Sequence, residues 1–449
     1  MSRLNTDKPS LAVIGSGIAG LSAAWLLRNK YHVTLFERHA SPGMGAYAVN
    51  VGHDGHRVEI DIPLRVITAG YYNELFKLYK TLGVEVERTD HSGAFFTHTG
   101  ISLFHYRIVS LGKYRFSFLN SPKRLSRQNI SQGMAALKFF SAIKKVDLRA
   151  IDELTFGQFL QQWPHTQSDF VDNVLMPMLA TICTCDYDQI KQYPAAIIIA
   201  YLACGVEKEG VWKATHGVAD IVQRMTQGYD VLPHSDIKQV SITTEDKVEV
   251  VLEGAKNHLF DQVIIATQPQ HASPMVAAQN PELAAHFSNI QFAKSRMVVH
   301  RDHTIYPSPW QDLSPVCYSI NKKEQRPMAT VCLNKSMPSV KDCLPVFQTW
   351  HPTTKINPQH ILADVSFERP IINFATLRHI QSIKDFMFKP IYSQQQESAQ
   401  DFDQTTQDLR QAKRIWFCGS YLGDGIPLLE AGVRSALAVA NALGVKEPW

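Results

Sequence analysis

No apolar run in the sequence is long enough to cross a bilayer. The longest, Ala195 to Val206, is interrupted by Tyr201, whereas a spanning helix needs about 20 apolar residues. The opening residues, MSRLNTDKPS, carry no apolar stretch of the secretory kind before a strand-like run begins, so a cytoplasmic location is expected. Cysteines are few: Cys183, Cys185, Cys204, Cys317, Cys332, Cys343 and Cys418. An odd, scattered set without a C-x-x-C pair is neither a disulfide framework nor a zinc site. Reduced, buried thiols are expected instead. No His, Cys, Asp and Glu cluster has metal-ligand spacing, so no metal is expected, and no nucleophilic triad is recognisable. The net charge of +4 is too small to imply a nucleic-acid partner. There is no internal repeat.

Hydrophobic residues at 45% and charged residues at 19% are those of an ordinary globular protein. At 449 residues the chain exceeds the size at which one core stops growing, so two domains are expected.

The most informative stretch comes first. Leu11–Ile14 reads as a short buried strand, Ile18–Leu27 as a helix with small residues on its packing side, and His32–Phe36 as a second strand. Between strand and helix stands Gly15-Ser16-Gly17-Ile18-Ala19-Gly20, the G-x-G-x-x-G pattern in its proper βαβ setting. Gly15 permits the tight turn, Gly17 lets backbone approach a pyrophosphate, and Gly20 lets the helix pack on the strand. Ile18 and Ala19 then contribute to a helix N-terminus that favours an anion. Glu37 ends the second strand, where its carboxylate can accept ribose hydroxyls, and Arg38 follows it. A dinucleotide is therefore expected here.

The pattern alone does not separate FAD from NAD. At the other end of the chain, Arg414–Cys418 reads as a strand ending in Gly419-Ser420. Glu430-Ala-Gly432-Val433-Arg434 then opens a helix. A second glycine-bearing helix start suits a long cofactor such as FAD. The expectation is that two glycine-terminated strands from opposite ends of the chain lie side by side to cradle one nucleotide.

These two motifs together resemble the flavin-containing amine oxidase and phytoene desaturase superfamily. Within it, the chain most resembles bacterial FAD/NAD(P)-binding proteins often encoded beside cyclopropane-fatty-acid-synthase-like enzymes. The stretches that carry the resemblance are Ala12–Glu37, His258–His271, Val299–Pro309, Val346–Pro370 and Arg414–Leu443. It implies an α/β fold: a discontinuous Rossmann-type FAD domain plus an α+β substrate domain of mixed sheet and helices. The FAD domain would comprise 10–90, 205–290 and 412–449, and the substrate domain 91–204 and 291–411. It also implies that Gly43 lies where the pyrophosphate passes, that the backbone of Ile237 meets the adenine, and that Thr267 lies where the chain returns to the cofactor. Gly419, Ser420, Gly432 and Val433 would stand near the ribityl chain and flavin. The sequence departs from the superfamily's pattern at Met44, Ile62-Pro63, His216-Gly217 and Ala436.

A flavin carries the chemistry itself, and the protein orients the substrate and sets the charge near the ring. Glu430, Arg434 and His351 are the candidates for that role, with Tyr193, Cys204, Arg369 and His216 behind them; ordinary structural roles compete for each. Met176–Cys183 and Ala195–Cys204 are apolar helical stretches that either wall a lipid tunnel or form plain core. Gln394–Gln411 is polar and reads as a flexible excursion.

Between Lys113 and Arg149 the cations are Lys113, Arg115, Lys123, Arg124, Arg127, Lys138, Lys144, Lys145 and Arg149, against the single acid Asp147. Interleaved apolar residues suit peripheral contact with an anionic membrane, and equally a solvated face over a core. The leading function is an FAD-dependent oxidoreductase that dehydrogenates, desaturates or isomerises an apolar fatty-acyl or isoprenoid-like substrate. A flavin amine oxidase, for which Trp416, Phe417 and Tyr421 offer aromatic groups, and a non-catalytic flavin-binding partner protein are the alternatives.

Overall fold

The computed structural model describes residues 8–45, 47–52, 58–111, 114–119, 126–163, 168–204, 210–254, 257–306, 312–389 and 413–449. The Gln394–Gln411 stretch lies outside these residues, as do Lys113, Lys123 and Arg124.

A five-stranded sheet is assembled from β1 (Ser10–Ile14), β2 (His32–Phe36), β3 (Asp230–Leu232), β4 (Gln262–Ile265) and β5 (Ile415–Phe417) in the order β3-β2-β1-β4-β5. All its pairings are parallel. A parallel sheet must be covered on both faces, which is why Leu11–Ile14 of β1 and Val263–Ile265 of β4 are unbroken apolar runs and are buried. The first and last strands are thus next-but-one neighbours, with β4 between them, rather than side by side.

Against this sheet lies α1 (Ile18–Leu27), all ten of whose residues are buried. A helix buried all round needs small residues wherever backbones meet. A Cβ on Gly20 would stand 1.9 Å from the Gly15 carbonyl oxygen, and one on Gly432 would stand 2.6 Å from Ile18 Cγ2. The other helices that matter to the site are α2 (Asn73–Leu82), α3 (Arg127–Ile143), α4 (Gly217–Met225) and α5 (Leu429–Ala442). α5 covers the outer side of α1.

The second sheet has eight strands and draws on two stretches of chain. Its order is Ile361–Pro370, Phe292–His300, Phe347–Trp350, Met328–Cys332, Val316–Ile320, Gly93–Thr97, Ser102–Leu111 and Tyr114–Leu119. Gly93–Thr97 joins Val316–Ile320 in parallel and the remaining pairs are antiparallel. The mixed sheet and helices are those of the expected fold class. Between the sheets, a hairpin of Tyr47–Asn50 and Glu59–Ile62 leaves the first and seats Ile60 and Ile62 in a core with Met297, Val299 and Val346 of the second. This crossing carries Gly43 to Gly45 and Arg65 into the space between the two sheets.

All seven cysteines are free thiols, as expected, but Cys204 is exposed and Cys343 half-buried, so not all are core. Among the described residues no helix is long and apolar enough to cross a membrane, and no group of His, Cys, Asp or Glu could hold a metal.

Candidate cofactor and substrate cavity

The end of β1 turns at Gly15, whose φ of +104° is open only to glycine without strain. Its N–H donates to the Phe36 carbonyl at 2.8 Å, tying the turn to the end of β2. Gly17 then sits at the N-cap of α1 with extended backbone; no side chain caps the helix and no acidic residue occupies its first turn. The first N–H groups of α1 are left for a ligand, and the helix dipole favours a negative one. A Cβ on Gly17 would meet nothing within 4 Å, so the glycine there serves approach rather than packing.

Glu37 is buried and holds this turn in place. Its Oε2 accepts from the Ser16 N–H at 3.1 Å and the Ser16 hydroxyl at 2.5 Å, while Oε1 accepts from the His39 N–H at 2.9 Å. A carboxylate has about four lone-pair positions, so three bonds leave Oε1 able to take a further donor. That is the capacity a ribose hydroxyl requires.

From this turn a cavity of about 1920 Å³ runs between the two sheets. Its lining includes Gly15, Ser16, Gly17, Ile18, Ala19, Glu37, Arg38, Gly43, Ile237, Thr267, Gly419 and Ser420, from all parts of the first sheet's chain. Gly17 and Gly419 therefore face one space. Gly20, Gly432 and Val433 do not line it. Gly20 packs α1 on the turn, and Gly432 and Val433 are buried where α5 meets α1, outside the lining. Small residues at a helix–helix contact look the same in sequence as small residues beside a ligand.

The candidates for chemistry are likewise relocated. Glu430 is 1% exposed, and its oxygens accept from the Glu74 and Leu75 N–H groups at 3.1 and 3.0 Å and from Arg434 Nε at 3.0 Å. It caps α2 from another helix, and Arg434 neutralises it. Neither residue lines the cavity. His351 faces Ser295, its Nε2 lying 3.1 Å from that hydroxyl, and burial with the nearby Arg326 lowers its pKa to about 4. It too stands outside the lining. His216 is exposed beside Glu85, and the Cys204 thiol donates to its own helix at Ala200. Tyr193 is core, held protonated by burial. Only Arg369 of that group reaches the cavity, with one guanidinium N–H donated to the Ile182 carbonyl at 2.5 Å.

Arg65 was not singled out by any motif. It lines the cavity, donates to the Met44 carbonyl at 2.9 Å, and leaves its buried Nε without a partner among the described residues. Thr267, Gln270 and Tyr421 line the same space, and their Oγ1, Oε1 and OH atoms are also buried without partners among the described residues. Polar atoms so placed require a bound polar ligand or water. Met44, a departure from the superfamily's pattern, is accommodated: it is buried at φ +51° with its N–H donating to the Ser16 carbonyl at 3.1 Å. The neighbouring departure at Ile62-Pro63 divides, Ile62 entering the second core and Pro63 lining the cavity. Asp61, before them, accepts from the Val218 N–H at 3.1 Å and so caps α4.

Away from the glycines the lining turns apolar. Phe95 stacks on Tyr318 at 4.5 Å between ring centroids, and Phe104, Phe140, Phe170, Val174 and Met178 continue the wall. Met178 and Tyr201 show that both apolar stretches, Met176–Cys183 and Ala195–Ala203, contribute to core and cavity at once.

Residues 13–82 match the model of an NAD(P)-binding Rossmann-like domain. No curated protein matches the sequence. Among solved structures, a putrescine oxidase double mutant with redesigned cofactor binding is similar at 14% identity and a TM-score of 0.65, with 97% of this chain and 99% of that chain covered. A CLA-producing fatty acid isomerase from P. acnes matches at 14% identity and 0.64, covering 98% and 99%. Cyclohexylamine oxidase from Brevibacterium oxydans matches at 13% and 0.62, covering 97% and 100%. Over nearly its whole length, then, the chain has the fold of these oxidases and this isomerase, as the motifs at its two ends led us to expect.

Proposed function

We propose that the chain is an FAD-dependent oxidoreductase acting on an apolar substrate, a fatty-acyl or isoprenoid-like chain that it dehydrogenates, desaturates or isomerises. One observation carries this reading: a single cavity joins a glycine turn built for a dinucleotide to an aromatic and aliphatic chamber. At about 1920 Å³ it exceeds the roughly 300–1,000 Å³ of a pocket for one small ligand. It has room for an extended cofactor and a substrate together.

The residues present fit FAD. The open N-terminus of α1 and Gly17 would hold the pyrophosphate, Glu37 Oε1 a ribose, and the backbone at Ile237 the adenine. Thr267, Gly43, Gly419 and Ser420 would follow the cofactor inwards. When bound, the flavin supplies the acceptance and return of hydride. The chain supplies the rest. Arg65 and Arg369 bring positive charge to the cavity, and Arg65 holds its proton although burial lowers its pKa. Tyr72 and Tyr201, whose pKa values burial raises, remain hydrogen-bond donors. Phe95, Phe104 and Tyr318 exclude water from the reacting carbon.

The two arginines weigh against an amine substrate, because a cationic ammonium would be repelled near them. Trp416 and Phe417 are sheet core rather than cavity wall, which removes two of the three aromatic groups that favoured it. Anaerobic mixing of flavin-loaded protein with a panel of acyl and isoprenoid lipids should bleach the flavin band. Bleaching by amines alone, with peroxide released in air, would replace this reading by the amine oxidase.

A further inference from the structure

α3 has two apolar faces, and only one is buried. Ala135, Phe139 and Ile143 are buried against the rest of the protein, and Asn129 Oδ1 fixes the helix by accepting from the His105 N–H at 3.0 Å. On the opposite side Ile130, Met134 and Leu137, spaced by four and three residues, are 42%, 54% and 74% exposed. An amphipathic helix keeps such positions polar. A row of three large apolar side chains in water signals an interaction surface.

The place and the charge of this row say what covers it. Ile130, Met134 and Leu137 also line the cavity, so they form the rim of its mouth at the apolar end. Arg127 and Lys138 on α3, and Lys144, Lys145 and Arg149 just after it, are all exposed, and Asp147 is the one acid among the described residues from 127 to 149, with exposed Asp152 and Glu153 following. Of the wider basic stretch, Lys113, Lys123 and Arg124 lie outside the described residues. An apolar stripe on a helix whose exposed charges are cations matches a layer that presents anionic headgroups above hydrocarbon. We infer that α3 docks on an anionic phospholipid bilayer, inserting Ile130, Met134 and Leu137 and setting the cavity mouth against the acyl layer. The route this gives a lipid substrate rests on the proposed function; the docking does not.

Binding of the full-length protein to vesicles tests the docking without any turnover. Sedimentation should occur with vesicles containing phosphatidylglycerol, weaken with phosphatidylcholine alone, and weaken again as salt screens the cations. The triple variant K138E/K144E/K145E should lose roughly a hundredfold in partitioning to anionic vesicles. M134E/L137E should lose binding to them as well, with an unchanged melting temperature because both side chains face water. Three results would overturn the inference: no sedimentation of wild type with anionic vesicles, undiminished binding by M134E/L137E, or a dimer that M134E/L137E converts to monomer. The last would assign the stripe to a second copy of the chain.

Discussion

At the glycine end of the cavity the walls are backbone: the turn at Gly15, the start of α1 at Gly17, the loop at Gly43, the strand end at Gly419. At the other end they are side chains, Phe104, Phe140, Phe170 and Met178 among them, brought from a strand and several helices far apart in sequence. The first kind of wall is specified by backbone that must turn sharply, at Gly15, or stay open to a ligand, at Gly17, and few residues other than glycine satisfy it. The second is specified by volume and polarity, and many sequences satisfy it.

The largest effect is expected just behind the glycine end, where Gly20 packs α1 on the Gly15 turn, at Gly20→Ala. The added carbon would stand 1.9 Å from the Gly15 carbonyl, and a wholly buried α1 has nowhere to move. Stability should fall by about 3 kcal/mol or more, read from denaturant midpoints. Glu430→Ala comes next. It strips two N–H groups at the start of α2 and leaves Arg434 unpaired, and should cost about 3 kcal/mol.

Acid should separate the two regions. In the second sheet His300 is fully buried, its Nε2 against Thr349 Oγ1 at 2.8 Å, and burial lowers its pKa from 6.5 to about 4. The unfolded chain binds that proton first, so the stability from a neutral His300 is complete above pH 6.5 and lost as pH falls towards 4, on the order of 2–3 kcal/mol. His351 adds to the same window. Beside β1, burial of Asp261 would raise its pKa, but Lys247 and Ser10 outweigh that and hold it at about 2. Its contribution is present above pH 3.8 and lost only as pH falls through that lower range. Hydrogen exchange should therefore open the second sheet in milder acid than the first. Simultaneous opening would mean that the two regions are one cooperative unit.

The smallest stability changes should bring the clearest functional split. Gly17→Ala meets no neighbour within 4 Å and should leave the melting temperature of the flavin-free protein unchanged, yet abolish flavin binding. Met178→Trp, filling the apolar end, should keep full flavin content and lower lipid turnover at least about tenfold.

The same contrast decides what could be read from the chain. β1, α1 and β2 follow from glycine spacing and apolar runs because local backbone rules fix them. The helices Pro269–Val276 and Pro281–Ser288 went unread although Asn280-Pro281 spells a helix start, with the Asn280 side chain accepting from the Leu283 N–H at 2.9 Å. In the sequence Glu430 shows only its position beside Gly432; that it caps α2, more than 350 residues earlier in the chain, is a tertiary fact. Arg65 had no local signal. Its importance comes from a hairpin that anchors in the second sheet and returns the chain to the cavity.

The central claim is that the glycine-walled end of this cavity binds FAD. The direct test is the visible spectrum of the purified protein, before and after incubation with excess FAD and removal of the unbound dye. Oxidised-flavin bands stoichiometric with the chain in wild type, and absent from Gly17→Ala, are the predicted result. A wild-type protein that stays colourless after loading, while folded by circular dichroism, would contradict it.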